Sequence, residues 1–443
     1  MNIFLFFLCI PILFIVPVLY PPLASFTAIL FVKKEINFIA LVLLFCSAIV
    51  SSLISATIIP VADTQVYIDS FQNIHLFDFT QLKLDNNGFE PLYKIYEYFL
   101  SIFIDDNQGL FLLTTALIFN LLSTIAIIRI CLRLNQSQLG CIILTIYYSL
   151  VPPCLGVPLF LLRSSLSLSI LFIGISYYEQ KNAIFYLLGT ISIFIHSSSF
   201  LIFGAIILQR AFSSLNKIIE KIGYKKIISL SKILNLRISL IILFIGFFLV
   251  AATPNLLIGL LQNFLTGFGG NGELASNKSK SFLETSTENF VDFTNPVFLI
   301  QVLFSLLCFL KLRDGLLIRE NIDNTNNQKL SNLLESLRLV GRLQIIMIFF
   351  TGPFNFLPYR LGFFNFLYFP VWLINVPYLS FIQIRLRLKK YSKYLIIFAL
   401  ISVLTYTFYW MPKRQDGDYD IVVLEGKPLS YSLTQVIEKI FIK

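Results

Sequence analysis

Charge is scarce in this chain. Of its 443 residues, 13% are Asp, Glu, Lys or Arg, against roughly 25% in an average soluble domain. Hydrophobic residues reach 57% and the mean hydropathy is +0.80. The apolar residues come in runs long enough to cross hydrocarbon, about 20 residues at 1.5 Å rise each. A soluble fold would have to bury all of these runs in one core, which a chain of this size cannot arrange. That class is excluded.

Other absences narrow the reading. The six cysteines (Cys9, Cys46, Cys131, Cys141, Cys154 and Cys308) lie in apolar runs without paired spacing, which predicts neither disulfides nor thiolate metal ligands. A basic n-region and a small-residue cleavage site are missing at the N-terminus, so the first apolar run is expected to stay as a helix. No internal repeat of the transporter kind is visible. The glycines of Gly267–Gly272 follow no strand, so a phosphate-loop reading fails its own context. Asp416 and Asp418 have metal-ligand spacing but sit in a polar tail, and neither a metal nor a cofactor is expected. The net charge of +10 is spread over short loops between apolar runs, which speaks for the positive-inside rule and against a nucleic-acid partner.

What is present threads consistently with the basic loops on the inner side. Asn2 to Phe31, broken by Pro17, Pro21 and Pro22, ends at Lys33 and Lys34, and Ile36 to Ile59 runs outward. Residues 61–108 carry Asp63, Asp69, Asp78, Asp85, Glu90, Glu97, Asp105 and Asp106 against Lys83 and Lys94, as an acidic outer loop would. Leu110 to Ile128 returns to Arg129 and Arg133, and Arg163 to Tyr178 returns to Lys181 after an outward run. Ala183 to Leu208 as one crossing would put the basic segment 211–236 outside, so two short helices hinged near His196 are predicted. Segment 211–236 then lies as an amphipathic stretch on the anionic inner leaflet. A second outer loop is expected at 254–294, and the chain ends in a polar tail at 412–443. The sum is one polytopic all-α membrane domain of about a dozen segments, helical because backbone polar groups must be satisfied internally.

Four residues fall on the outer side of this threading: Asp63, Arg163, His196 and Arg360. Each has an ordinary reading, as a loop acid, snorkelling arginines or a hydrogen-bonded interior histidine. Ionisable residues at membrane depth nevertheless cost at least about 2.5–3.5 kcal/mol each on insertion scales, which makes function the default hypothesis. Two arginines at one interface suit a phosphate-type anion. A carboxylate and an imidazole beside them supply acid–base capacity near neutral pH.

Several stretches carry a family resemblance. ADTQVYIDSF resembles the D-T-x-x-Y-x-x-x-F signature of the EpsG family of polysaccharide polymerases, related to the Wzy O-antigen polymerases. FEPLYKIYEYFL is similar to that family's E/D-P-x-Y stretch, FIHSSSFLI to its F-H-x-S-A segment and YRLGFFNFLYFP to its late R-x-x-x-[FY]-F segment. LLRSSLSLSI occupies the place of its Asn-x-x-Arg-Gln helix start, keeping Arg163 but with Phe160 and Ser164 where Asn and Gln are expected.

The resemblance implies a metal-independent glycosyltransferase of the lipid-donor (GT-C type) architecture in the bacterial cytoplasmic membrane. It would join oligosaccharide repeat units carried on undecaprenyl pyrophosphate at the outer face, alongside a flippase and a chain-length regulator. In that reading Arg163 and Arg360 hold the pyrophosphate, Asp63 or His196 is the base, and Tyr67 and Glu90 shape the sugar cleft. The rival readings are an O-antigen ligase and, from another class, a polysaccharide or lipid transporter.

Overall fold

The computed structural model describes residues 2–32, 36–57, 63–76, 90–133, 140–141, 144–145, 147–148, 162–196, 199–221 and 431–442. Every regular element among the described residues is helical, and none is a strand. The chain divides into two compact units, one made of Met1–Lys83, Phe89–Phe200 and Phe381–Lys443, the other of Leu84–Gly88 and Leu201–Ser380. The loop at 254–294, Asp416, Asp418 and the part of the basic segment beyond Lys221 lie outside the described residues.

Prolines set the start of the first unit. They are tolerated in the first turn of a helix and kink or break its interior, although Pro11 lies within the helix Asn2–Ile15 without ending it. The chain accordingly stops after α1 (Asn2–Ile15), makes a 3₁₀ turn at Pro17–Leu19 and restarts as α2 (Tyr20–Phe31). Phe6 meets Phe31 edge-on at 6.3 Å and the Cys9 Sγ lies 3.6 Å from the Thr27 Oγ1, so the two helices run antiparallel. The first apolar stretch is therefore a hairpin, and its arms of roughly 21 and 18 Å fall short of the ~30 Å of hydrocarbon.

Among the described residues, two helices are long and apolar enough to cross a membrane: α3 (Phe38–Ser55) and α6 (Gln108–Arg133). Asn37 caps α3 by accepting from the Ala40 N–H at 2.9 Å. Asn120 ties the two together, donating to the Ser52 hydroxyl at 2.9 Å while accepting from the Tyr147 hydroxyl at 3.1 Å. A buried amide is tolerated there because both of its ends are satisfied.

A second hairpin, α7 (Leu162–Ser176) and α8 (Asn182–Ile195), turns at Tyr177–Lys181 with Glu179 in the left-handed region at φ 63°. Small residues let its arms approach closely. A Cβ on Gly174 would stand 3.1 Å from the Leu188 Cβ, and the Ser167 hydroxyl donates to the Ser192 carbonyl at 2.7 Å. Helix α7 is buried on nearly all sides and runs parallel to α6. At one end Phe111, Leu112 and Ala116 of α6 share a cluster with Leu162 and Leu166. At the other end Arg129 donates to the Ser176 hydroxyl at 3.2 Å and Arg133 to its carbonyl at 2.9 Å. Two cations thus meet the C-terminus of α7, where free carbonyls and the helix dipole favour positive charge.

Helices α4 (Asp63–Gln72) and α5 (Pro91–Ile104) close the opposite end of the unit, with Tyr67, Ile68, Phe71 and Tyr93 in the same cluster. The stretch α9 (Ser199–Lys221) begins after the break at His196. Within the tail expected to be polar, the structure has a helix, α10 (Leu433–Ile442), whose Val436 and Ile440 are buried in that cluster. Its approach to α6 is close. A Cβ on Gly109 would stand 1.9 Å from the Ile440 carbonyl oxygen, so only glycine fits without a backbone shift. Gly109→Ala is expected to destabilise the protein by about 1–3 kcal/mol through overpacking, read as a lower Tm in detergent.

Candidate functional site

The register of the α7–α8 hairpin builds the site. Ser167 faces Ser192, and one turn further along each arm stand Arg163 and His196. Helix α8 ends there because His196 is extended, at φ −156° and ψ 124°. The Ser167 hydroxyl also bonds to the Ser199 hydroxyl on the far side of the break. The helix interruption read from the sequence near His196 is thus held by a serine of α7.

Glu90 joins the two ends. Its carboxylate accepts from the Arg163 Nη1 at 2.6 Å through one oxygen and pairs with the His196 Nδ1 through the other. Glu90 stands at the N-cap of α5, with Pro91 at the first helical position, yet its side chain makes no cap hydrogen bond. The Tyr93 N–H bonds the Glu90 backbone carbonyl at 3.2 Å instead, and the carboxylate is turned to the pair across the unit. The Glu90 side chain is 8% exposed and that of Arg163 26%, so water screens little of this interaction.

Aromatic rings complete the surroundings. The Arg163 guanidinium lies 4.9 Å from the centre of the Tyr67 ring and 5.8 Å from that of Tyr93. The two rings meet edge-to-face at 5.9 Å. Such contacts favour a desolvated cation. The Arg163 Nε is buried without a hydrogen-bond partner in the described structure.

A second polar cluster adjoins the first through α5. The Glu97 carboxylate accepts from the Lys94 ammonium at 3.0 Å and from the Ser70 hydroxyl at 2.9 Å, and its other oxygen has no hydrogen-bond partner among the described residues. Burial raises the Glu97 pKa above its ordinary value, and the Lys94 charge opposes that shift.

Of the residues singled out in the sequence, the structure brings together Tyr67, Glu90, Arg163 and His196. Asp63 heads α4, one turn before Tyr67, and its side chain lies outside the described residues, as does Arg360 entirely. Tyr67 is buried, with its ring under the guanidinium. Tyr93 and Glu97 were not singled out. The signal for Tyr93 was its place in the E-P-x-Y stretch, three residues after Glu90. Among the described residues no group of three His, Cys, Asp or Glu could hold a metal ion.

This arrangement sits on the stretches that resembled a known family. The profile of the EpsG family matches residues 41–421. The chain belongs to the EpsG family. No curated protein and no solved structure matches it. The matched region contains every EpsG-like site residue named above, whereas α10 lies beyond it.

Two outcomes follow. Glu90→Ala leaves a half-buried guanidinium without its counter-charge and is expected to cost about 3–5 kcal/mol. Adding Arg163→Met should recover part of that loss, as a double-mutant cycle of denaturation midpoints would read. For Glu97 the folded state binds its proton more readily than the unfolded one. Its contribution to stability is therefore complete below the unfolded carboxyl value and is lost as pH rises through the raised folded value. Glu97→Gln should abolish that part of the decline when Tm is followed from about pH 4 to pH 8.

Proposed function

We propose that this membrane protein is a polysaccharide polymerase that joins lipid-linked oligosaccharide repeat units. The observation that carries the reading is the Arg163–Glu90–His196 bridge at one end of the first unit, on the residues of the EpsG stretches. Arg129 and Arg133 stand at the opposite end of α6 and α7. The positive-inside rule then orients the bridge toward the outer face of the cytoplasmic membrane. The proposed architecture is that of the lipid-donor glycosyltransferases.

The chemistry has three parts. Arg163 binds the pyrophosphate of the undecaprenyl-linked donor and stabilises the charge that grows as the glycosidic C–O bond breaks. Arg360 is assigned to the same leaving group from its sequence position alone. A hydroxyl of the acceptor repeat unit attacks the anomeric carbon, and its proton passes to a base. His196 suits that role because Glu90 holds its Nδ1, which leaves Nε2 as the nitrogen to meet the hydroxyl. Asp63 at the head of α4 is the second candidate. Glu90 thereby couples the anion-binding guanidinium to the base, and Tyr67 fixes the guanidinium from below. A flippase would deliver the substrate units and a chain-length regulator would act on the product.

The test is a glycan ladder from cells lacking the protein. Deletion is expected to leave single lipid-linked units, and the wild-type chain should restore the ladder. Arg163→Ala, expressed to the same level in the membrane, should not. A full-length ladder with Arg163→Ala would remove the pyrophosphate assignment, and an intact ladder after deletion would favour a ligase or transporter.

A further inference from the structure

Helix α5 is built inside out. Ile95, Tyr98, Phe99, Ile102 and Phe103 recur at intervals of three and four residues, so they form one stripe along the helix. All five are exposed, between 42% and 69% of their surface. The opposite face holds the buried Tyr93 and Glu97, and Lys94 turns its ammonium toward Ser70 and Glu97. A helix lying on a water-facing loop has the reverse order, with charge outward and apolar side chains inward.

The stripe's surroundings identify what covers it. The segment immediately after α5 is Asp105–Asn107, in which both aspartates are exposed, and α6, long and apolar enough to cross a membrane, starts at Gln108. The end of α5 is therefore tethered at the level where a span enters the bilayer. Its 14 residues reach roughly 21 Å, too short to cross. Tyrosine and phenylalanine on the stripe belong to the residue types that favour the membrane interface and the acyl region beneath it. No charge stands on the stripe.

We propose that α5 is embedded in the leaflet on the site's side of the membrane, with its apolar stripe against lipid acyl chains. The acidic loop 61–108 would then not lie wholly in water. Its second helix forms a wall with lipid on one face and Glu90, Tyr93 and Glu97 on the other. A substrate with a lipid tail would reach the Glu90 end of that wall without leaving the bilayer, a consequence that rests on the polymerase reading. The lipid contact itself does not.

Tryptophan fluorescence tests the contact. In a parent with Trp372→Phe and Trp410→Phe, single tryptophans are introduced as Phe99→Trp, Phe103→Trp or Asp106→Trp, and the purified full chain is placed in lipid nanodiscs. Quenching by acyl-brominated phosphatidylcholine is compared with quenching by aqueous iodide. The proposal expects bromolipid quenching to exceed iodide quenching at positions 99 and 103, with the order reversed at 106. Dominant iodide quenching at 99 and 103 would overturn it in favour of a helix in water. Protection from both quenchers would overturn it in favour of a protein cover such as a second copy of the chain. The measurement needs no turnover, so a failed polymerase reading would leave its outcome unchanged.

Discussion

A guanidinium at the head of a buried helix has to find a counter-charge, and the rest of this unit follows from that requirement. Arg163 begins α7, which is enclosed on nearly all sides. Glu90 meets it from the start of α5, more than seventy residues earlier in the chain. To do so α5 must lie across the end of the α7–α8 hairpin, which also brings Glu90 within reach of His196. One carboxylate thereby fixes the positions of two helices and the orientation of an imidazole. A pair of this kind contributes little net stability when compared with apolar residues of the same shape, but breaking it is costly. Its value lies in specifying one arrangement.

The small residues of α7 serve the same end. Its serines and Gly174 permit close contact with α8, and that contact sets the register in which position 163 stands level with position 196. A bulkier α7 would separate the arms and widen the gap that Glu90 bridges. The polar links at the other end, from Arg129 and Arg133 to Ser176, anchor α7 against α6 so that the hairpin cannot slide along its axis.

Much of this was legible in the residues. Composition decided the membrane class, the charge of the loops led to an interruption near His196, and the FEPLY stretch pointed to Glu90. The rest required contacts that no linear pattern carries. Pro17, Pro21 and Pro22 announce a break, but only the meeting of Phe6 with Phe31 reveals that the chain folds back. Glu97 reads as one more acid of an outer loop, and its burial depends on Lys94 and Ser70 turning toward it. Helix α10 is amphipathic but follows a polar stretch, so its docking site on Gly109 could not be inferred from its neighbours. Asp63 and Arg360 were nominated by the threading and by motif, and the structure adds only that Asp63 heads α4.

The contact between Gly109 and Ile440 also has a consequence in time. A ribosome adding about 5–20 residues per second needs on the order of half a minute to travel from the first partner to the second. Until then the start of α6 lacks the cover that Ile440 gives it at Gly109. This end of the unit is thus completed by a segment made long after the helices that it joins.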